Sequence, residues 1–438
     1  MAVNIPESNL PRVVIVGGGF GGVAVARGLV GFRAQVVLID RENHHVFQPL
    51  LYQVATAGLE PESIAFPIRK IFEGQENFVF RMAEVTSVNP DSKNIETTIG
   101  PIAYDFLVLA TGSKNHFFKI PGAEDHGLGL KSVLDALRIR NRVLESMERA
   151  LLVTDLAERE AYLGFVVVGG GPTGVEVAGA LAELRKNVLP ADFPELDFRR
   201  MRIELIEAGA RLLSGMSVPA SNHAREELER ADVSVWLGAA MDSYDGHTVK
   251  TSTGKSLPTR NLIWTAGVAG TALRGLPPES IGPKGRIKVD LGLKVAACKN
   301  IFAIGDLAYC PEGEYKDGHP MVAPVALQQG AILARNLKAS IAKGDSVFAS
   351  FAYQDKGSMA TIGSGRAVAD LWGGSFKGFI AWMLWLGVHL ILLMGFRNKL
   401  IVFVNWMWSF FSYDRAARVI LRVKGAWPED EKKREIEK

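Results

Sequence analysis

Cysteine is almost missing from this sequence: Cys298 and Cys310 are the whole supply in 438 residues. Their spacing forms neither a redox CxxC nor a metal pair, so both read as isolated buried thiols. An excess of either charge is missing too. The 50 Lys and Arg residues stand against 47 Asp and Glu, which gives no bulk field to draw nucleic acid. The opening stretch MAVNIPESNLPR holds no apolar segment, so no secretory signal and a cytoplasmic start are expected. His44 and His45 have no carboxylate or cysteine at ligand spacing, and no metal is expected there. What the chain has in quantity is glycine, 45 residues, which suits a fold with several tight strand-to-helix turns. The length allows two or three domains with well-filled cores.

The first such turn is RVVIVGGGFGGVAVARGL: a short apolar strand, a glycine turn, then an Ala/Val-rich helix. Gly17, Gly19 and Gly22 fit G-x-G-x-x-G in the context that gives the pattern meaning. The first glycine allows the sharp turn, the second lets backbone approach a pyrophosphate, and the third lets helix pack on strand. The helix start then offers free N–H groups and a positive dipole end to the phosphates. The next strand, AQVVLID, ends in Asp40, where an acid would take ribose hydroxyls. The pattern recurs in GFVVVGGGPTGVEVAGALAEL, with Gly169, Gly171 and Gly174 in register. An insertion, LPADFPELDFRRM, delays the following strand, RIELIEAGARLL, in which Glu207 is the strand-end acid. An acid there favours a free 2′-hydroxyl, and so NADH over NADPH.

Two nucleotide sites in one chain suggest a relay between a bound flavin and a nicotinamide that comes and goes. YDFLVLATGS is a buried strand running into a small-residue turn at Thr111 and Gly112. KNIFAIGDLAYC is another, ending in Gly305 and Asp306, where an aspartate beside a glycine can hydrogen-bond a ribityl chain. Between them NLIWTAGVAG offers a further strand-to-glycine turn at Ala266 and Gly267, downstream of the second fingerprint.

The order of IVGGGFGG, LATGS, VVGGGPTGVE, IWTAGV and FAIGD resembles that of the two-dinucleotide-domain flavoprotein disulfide-reductase superfamily. Within it the chain is similar to type II NADH dehydrogenases, the single-subunit, non-pumping NADH:quinone oxidoreductases. The closer likeness rests on NHHVFQPLLYQVATAGL, GGGPTGVEVAGALAEL, APVALQQG and an apolar tail with GFRNKL. It covers roughly residues 10 to 425. The resemblance implies FAD, NADH as donor and a membrane quinone as acceptor. Disulfide reductases of the superfamily carry a cysteine pair after the first fingerprint, and sulfide:quinone reductases also use cysteines beside the flavin. Asn43 to Gly58 contains none, so electrons have no protein dithiol through which to leave.

On the acceptor side the resemblance implies an Ala-Gln-x-Ala-x-Gln motif lining the quinone pocket. Ala323, Ala326 and Gln328 align with it, while Pro324 replaces the first glutamine. Proline is welcome in a helix's first turn, so the fold should tolerate it and Gln328 becomes the expected quinone partner. Lys356 resembles a lysine the family places near the quinone head group; otherwise it is a solvated loop residue. Glu176, one turn into the second helix, either complements the helix dipole or, as the resemblance implies, orients NADH or relays protons to reduced quinone.

Phe379 to Phe396, FIAWMLWLGVHLILLMGF, passes without a charge and is long enough to span a bilayer if counted alone. The following apolar run, LIVFVNWMWSFF, is too short for a second span. Trp382, Trp385, Trp406, Trp408 and Tyr413 crowd the segment as in interfacial belts. Lys377, Arg397, Lys399, Arg415, Arg418, Arg422 and Lys424 bracket it, suited to anionic headgroups. Together these predict helices, at about 376–413, lying in one leaflet of the cell membrane's cytoplasmic face. A homodimer interface is an alternative use of the same apolar surface.

The expected fold is α/β, with two Rossmann-like dinucleotide-binding domains and a C-terminal apolar membrane-anchoring helical segment. The FAD domain falls in two pieces, 1–118 and 286–345, with an NADH domain at 119–285 inserted and a C-terminal region at 346–438. A soluble flavin reductase serving a small iron–sulfur protein would share both nucleotide sites yet has no need of the apolar tail. A membrane-bound FAD/NADH redox sensor would need both but no fast turnover. No His or Cys stands in an obvious flavinylation context. Acid precipitation of the purified protein should therefore release all the yellow colour, and flavin retained in the pellet would refute non-covalent binding.

Overall fold

The computed structural model describes residues 3–344, 348–412, 415 and 417–421. It divides into two compact units: Met1–Val46, Phe66–Lys114 and Val268–Asp355 form one; Phe47–Ala65, Asn115–Gly267 and Lys356–Lys438 form the other.

The first unit is built on a five-stranded parallel sheet in the order Ile301–Ala303, Phe106–Leu109, Arg12–Val16, Gln35–Asp40, Phe78–Met82. RVVIV and QVVLID are buried almost throughout, as strands of a parallel sheet covered on both faces must be. The first-turn helix, Phe20–Gly28, lies against the helix Ala323–Lys343 at a distance only glycine permits. A Cβ at Gly330 would fall 2.7 Å from the Gly21 carbonyl oxygen, and one at Gly28 would fall 2.4 Å from Ala334 Cβ. Pro324 sits in the first turn of its helix, where no intrahelical N–H is lost.

The second unit repeats the plan. Its parallel sheet runs Leu128–Gly129, Asn261–Trp264, Gly164–Val168, Arg202–Glu207, Ser234–Leu237. The insertion that delays its fourth strand folds into a short helix, Leu189–Asp192, and a 3-10 turn, Phe198–Arg200. Register survives: Val168 pairs with Ile206, just as Val16 pairs with Ile39, so Glu207 and Asp40 occupy equivalent strand ends.

The units cut the chain differently from the linear division above. Helix Leu51–Ala55 joins the second unit because it packs on helices Val133–Leu152 and Pro172–Asn187. The antiparallel sheet Ser358–Gly363, Arg366–Leu371, Gly374–Lys377 joins it too. Its first strand presses on the second-turn helix at Gly179, where a Cβ would lie 2.3 Å from the Ile362 carbonyl oxygen. These are long-range contacts with no local pattern to announce them.

Two tail helices follow, Gly378–Leu392 and Phe396–Ser412, separated at Gly395, whose φ of 79° is costly for other residues. At 1.5 Å per residue the first is about 22 Å long, short of the roughly 30 Å hydrocarbon core. No helix among the described residues is long and apolar enough to cross a membrane. The expected aromatic belt needs correction. Trp382, Trp385 and Trp406 are buried, and only Trp408 is largely exposed; Tyr413 lies outside the described residues. Helical spacing explains the split. Asn398, Val402 and Trp406 follow at i, i+4, i+8 and face inward, while Phe403, Val404, Met407, Trp408 and Phe411 face solvent. Arg415 also leaves the basic bracket, because it is buried in an ion pair; Arg422 and Lys424 lie outside the described residues.

Candidate functional site

In the first unit the residues expected to hold a dinucleotide converge. Gly17, at φ 109°, lets the chain turn with a Cβ position 2.3 Å from the Ala110 carbonyl oxygen. A Cβ at Gly22 would fall 1.9 Å from the Gly17 carbonyl oxygen, while Gly19 faces open space. Gly19 caps its helix with no side chain, and no acid occupies the first turn, so these amides are left for an anion. Asp40 holds the loop: one carboxylate oxygen accepts the Gly18 N–H at 2.5 Å and the other the Glu42 N–H at 2.8 Å. A carboxylate has about four acceptor positions, so both oxygens retain capacity for hydroxyls.

Thr111 donates its hydroxyl to the Thr271 carbonyl at 3.0 Å, and Gly112 follows at φ 69°. Asp306 sits in a 3-10 turn, Gly305–Leu307, and accepts the Ser113 hydroxyl at 2.5 Å. Ala326 is buried beneath Gly305, whose Cβ position lies 3.3 Å from Ala326 Cβ.

Gln328 spends part of its amide on the main chain of Gln354, donating at 2.9 Å and accepting at 3.0 Å. One N–H and one oxygen lone pair are left for another partner. Two further residues escaped the sequence reading. Gln329, on the same helix face as Ala326, accepts the Gly305 N–H at 2.7 Å, and its Nε2 is buried without a partner. The i, i+3 step from Ala326 would have found it. His45 is buried, and burial lowers its ring below the usual histidine range, so it is neutral at pH 7. Its Nδ1 therefore donates to the Gly18 carbonyl at 2.9 Å, bracing the same loop. Among the described residues no three His, Cys, Asp or Glu side chains converge to hold a metal ion.

The second unit reproduces the first motif nearly atom for atom. Gly169 turns at φ 110° with a Cβ position 2.6 Å from Ala266 Cα, and a Cβ at Gly174 would meet the Gly169 carbonyl oxygen at 1.8 Å. Gly171 faces open space at an uncapped helix start. Glu207 accepts the Gly170 and Gly209 amides, each at 2.6 Å, as Asp40 does for its own loop. Thr265, Ala266 and Gly267 close over this turn, with Thr265 N–H bonded to the Val168 carbonyl at 2.8 Å. Both cradles have the shape that a dinucleotide diphosphate requires.

Glu176 lies deeper in the same helix and lines a separate cavity. Tyr52, Thr361, Trp382, Trp385 and Trp406 line it together with Glu183 and Arg415. Burial pushes the Glu176 carboxyl up to about 8. The Thr361 backbone N–H and the Trp385 indole, which face the carboxyl, oppose this. A dipole-complementing acid is ordinarily solvated; this one is buried. Lys356 is exposed in the stretch leading to strand Ser358–Gly363.

A family model described as pyridine nucleotide-disulphide oxidoreductase matches residues 11–330, and a second, the NDH2 C-terminal domain, matches 356–413. This defines a dinucleotide-binding flavoprotein with a dedicated tail domain. A type II NADH:quinone oxidoreductase of Mycobacterium tuberculosis is 35% identical over 93% of this chain and 90% of its own. The mitochondrial internal alternative NAD(P)H-ubiquinone oxidoreductase A1 of Arabidopsis thaliana is 30% identical over 92% and 85%. The fold is that of NDH2 from Plasmodium falciparum, with a TM-score of 0.85 over 94% of this chain and 100% of that one, at 23% identity. The chain thus belongs to the type II NADH:quinone oxidoreductases.

Glu207 generates a specific expectation. Both of its oxygens are occupied by loop amides, and glutamine can accept with only one. Glu207→Gln should weaken NADH binding by about 1–3 kcal/mol and, by relieving repulsion of a 2′-phosphate, narrow the preference over NADPH. Comparing kcat/KM for the two cofactors checks this; equal use of both by the unmutated enzyme would refute the assignment.

Proposed function

We propose that this protein oxidises NADH through non-covalent FAD and passes two electrons and two protons to a membrane quinone. The observation that carries the reading is the pairing of a full two-nucleotide flavoprotein match with an NDH2 C-terminal domain in one chain that lacks cysteine from Asn43 to Gly58. FAD, when bound, supplies the two-electron chemistry between nicotinamide and quinone. The residues do the rest. Gly17, Gly19 and Gly22 bring backbone amides to its diphosphate, Asp40 takes ribose hydroxyls, and Asp306, near Thr111, Gly112 and Ala326, takes the ribityl chain. Gln329 Nε2, buried and unpartnered, fits a polar edge of the cofactor. Gly169, Gly171, Gly174, Ala266 and Gly267 receive NADH, with Glu207 on its ribose. Gln328 and Lys356 serve the quinone head group. Glu176 holds a proton near neutral pH, as a general acid for quinol formation should.

The outer faces of both tail helices support attachment to an anionic bilayer. Ile380, Met383, Ile391, Phe396, Leu400 and Phe411 are each about half exposed or more, and exposed apolar side chains gathered on two helices suit an interaction surface. Helices of this length lie in one leaflet, peripheral and monotopic, on the cytoplasmic face. A homodimer packed through part of the same surface is compatible with this.

Anaerobic flavin spectroscopy tests the activity: NADH should bleach the flavin and a quinone should restore its colour. Bleaching without reoxidation would leave a sensor or a reductase for another acceptor.

Membrane attachment has its own check. High salt should release little full-length protein from anionic vesicles, because screening removes only the electrostatic share. Apolar burial, roughly 25 cal/mol per Å², remains. Complete release by salt would refute attachment through the tail helices.

A further inference from the structure

Three hydrogen bonds lead from the inner side of the second tail helix to Thr361, which stands beside Glu176. Trp406 Nε1 donates to Gln53 Oε1 at 2.7 Å. Gln53 Nε2 donates to the Tyr52 hydroxyl at 2.9 Å, and that hydroxyl lies 2.9 Å from Thr361 Oγ1. Thr361 and Glu176 line the same cavity, with the Thr361 backbone N–H on the side of the carboxyl. The five participants come from four elements: the tail helix Phe396–Ser412, helix Leu51–Ala55, which carries both Tyr52 and Gln53, strand Ser358–Gly363 and helix Pro172–Asn187. Tyr52, Thr361 and Trp406 are buried, so water offers them no ready alternative.

The direction of the chain follows from elementary donor counting. An indole N–H donates and cannot accept. The Gln53 carbonyl oxygen must therefore face Trp406, which turns its NH₂ toward Tyr52. The Tyr52 oxygen is then the acceptor from Gln53, and its single proton is free to go on to Thr361 Oγ1. One tail residue thus orients every dipole behind it, and such chains strengthen cooperatively in a low-dielectric interior.

We propose that Trp406, Gln53 and Tyr52 are positioning residues for Glu176: they hold Thr361 so that its backbone N–H stays aimed at the carboxyl, and the tail helix thereby governs the acid it covers. This rests on, and deepens, the reading of Glu176 as the proton-handling group of the quinone reaction. The other ionisable groups around the cavity act differently. Glu183 is engaged by Arg415 at 2.7 Å and by the Ser364 amide. Arg415 also donates to the Thr56 carbonyl at 2.9 Å. His389 stacks on Trp385 and is held neutral, its ring lowered to about 4 by burial. Strands Ser358–Gly363 and Gly164–Val168 bring no ionisable side chain. From the remaining neighbours of the helix, Glu204 accepts from Trp236, Glu227 pairs with Arg230 and Arg366, and Asp192 pairs with Arg418.

The sign of the effect is fixed. The Thr361 N–H favours the ionised carboxylate, so loosening it makes Glu176 keep its proton to higher pH. In the holoenzyme, the carboxylic-acid infrared band that Glu176→Gln lacks reports this protonation without donor or acceptor present. Trp406→Phe and Tyr52→Phe should each raise the titration midpoint by about half to one pH unit. Trp406→His, which keeps a ring N–H donor, should restore much of the original midpoint. The kcat of quinone reduction should follow the same displacement in pH. An unchanged midpoint in both Phe variants, with FAD retained, would overturn the proposal. So would a Trp406→His variant displaced as far as Trp406→Phe. Should quinone turnover fail in the parent while these shifts appear, the acceptor assignment falls and the positioning chain stands.

Discussion

Both nucleotide cradles depend on helix starts left without a side-chain acceptor. The amides after Gly19 and Gly171 would ordinarily be satisfied by Ser, Thr, Asp or Asn at the cap, an interaction of about 1 kcal/mol. Here the cap is glycine, which leaves those amides open to an anion. A loop held only by its future ligand would be slack before binding. Asp40 and Glu207 answer this by accepting loop amides from the ends of the neighbouring strands. His45 adds a further brace in the first unit alone. The same carboxylates are therefore loop supports, and they are the groups proposed to take ribose hydroxyls. Strand register sets their place, because a shift of one residue would turn the acid away from the loop.

Much of this was legible because it is local. A glycine fingerprint, its strand and its helix lie within about thirty residues, and the chemistry of each position follows from φ and from steric approach. Even the insertion before Arg202–Glu207 left the strand-end acid in place, since pairing with Gly164–Val168 determines where that strand stops. The tail was legible in composition but not in orientation. Tryptophan counted along a sequence looks like an interfacial belt; tryptophan counted on a helix face divides between core and surface. Trp406 and Trp408 are two positions apart and point in opposite directions.

What the sequence could not disclose is which distant segments meet. Tyr52, Glu176, Thr361 and Trp406 are separated by up to hundreds of residues, and only tertiary packing brings them to one cavity. Neighbour-based reasoning judged Glu176 by its place in the first turns of a helix, where a dipole-complementing acid is the ordinary outcome. Burial beneath the tail helices reverses that logic, because desolvation outweighs the donors that reach it. Gln328 and Gln329 show the same limit at shorter range. Motif alignment selects the first, while the helix face that carries Ala326 selects the second.

The tail helices acquire their form from two demands that pull in opposite directions. An apolar outer face asks for large side chains all along the helix, and an inner face over polar groups asks for donors and acceptors at fixed steps. Asn398, Asn405 and Trp406 meet the second demand: Asn398 donates to the Glu62 carbonyl at 3.0 Å, and Asn405 to the Glu60 carboxylate at 2.9 Å. These bonds fix the helix in rotation, which hydrophobic contact alone does poorly because it is non-directional. Rotation matters, since a turn of one residue, about 100°, would carry Trp406 off Gln53 and present a polar stripe to the outside. The helix with the apolar outer face is thus held in register by the polar groups it covers, and the buried acid is kept in its dry site by the helix that lies over it.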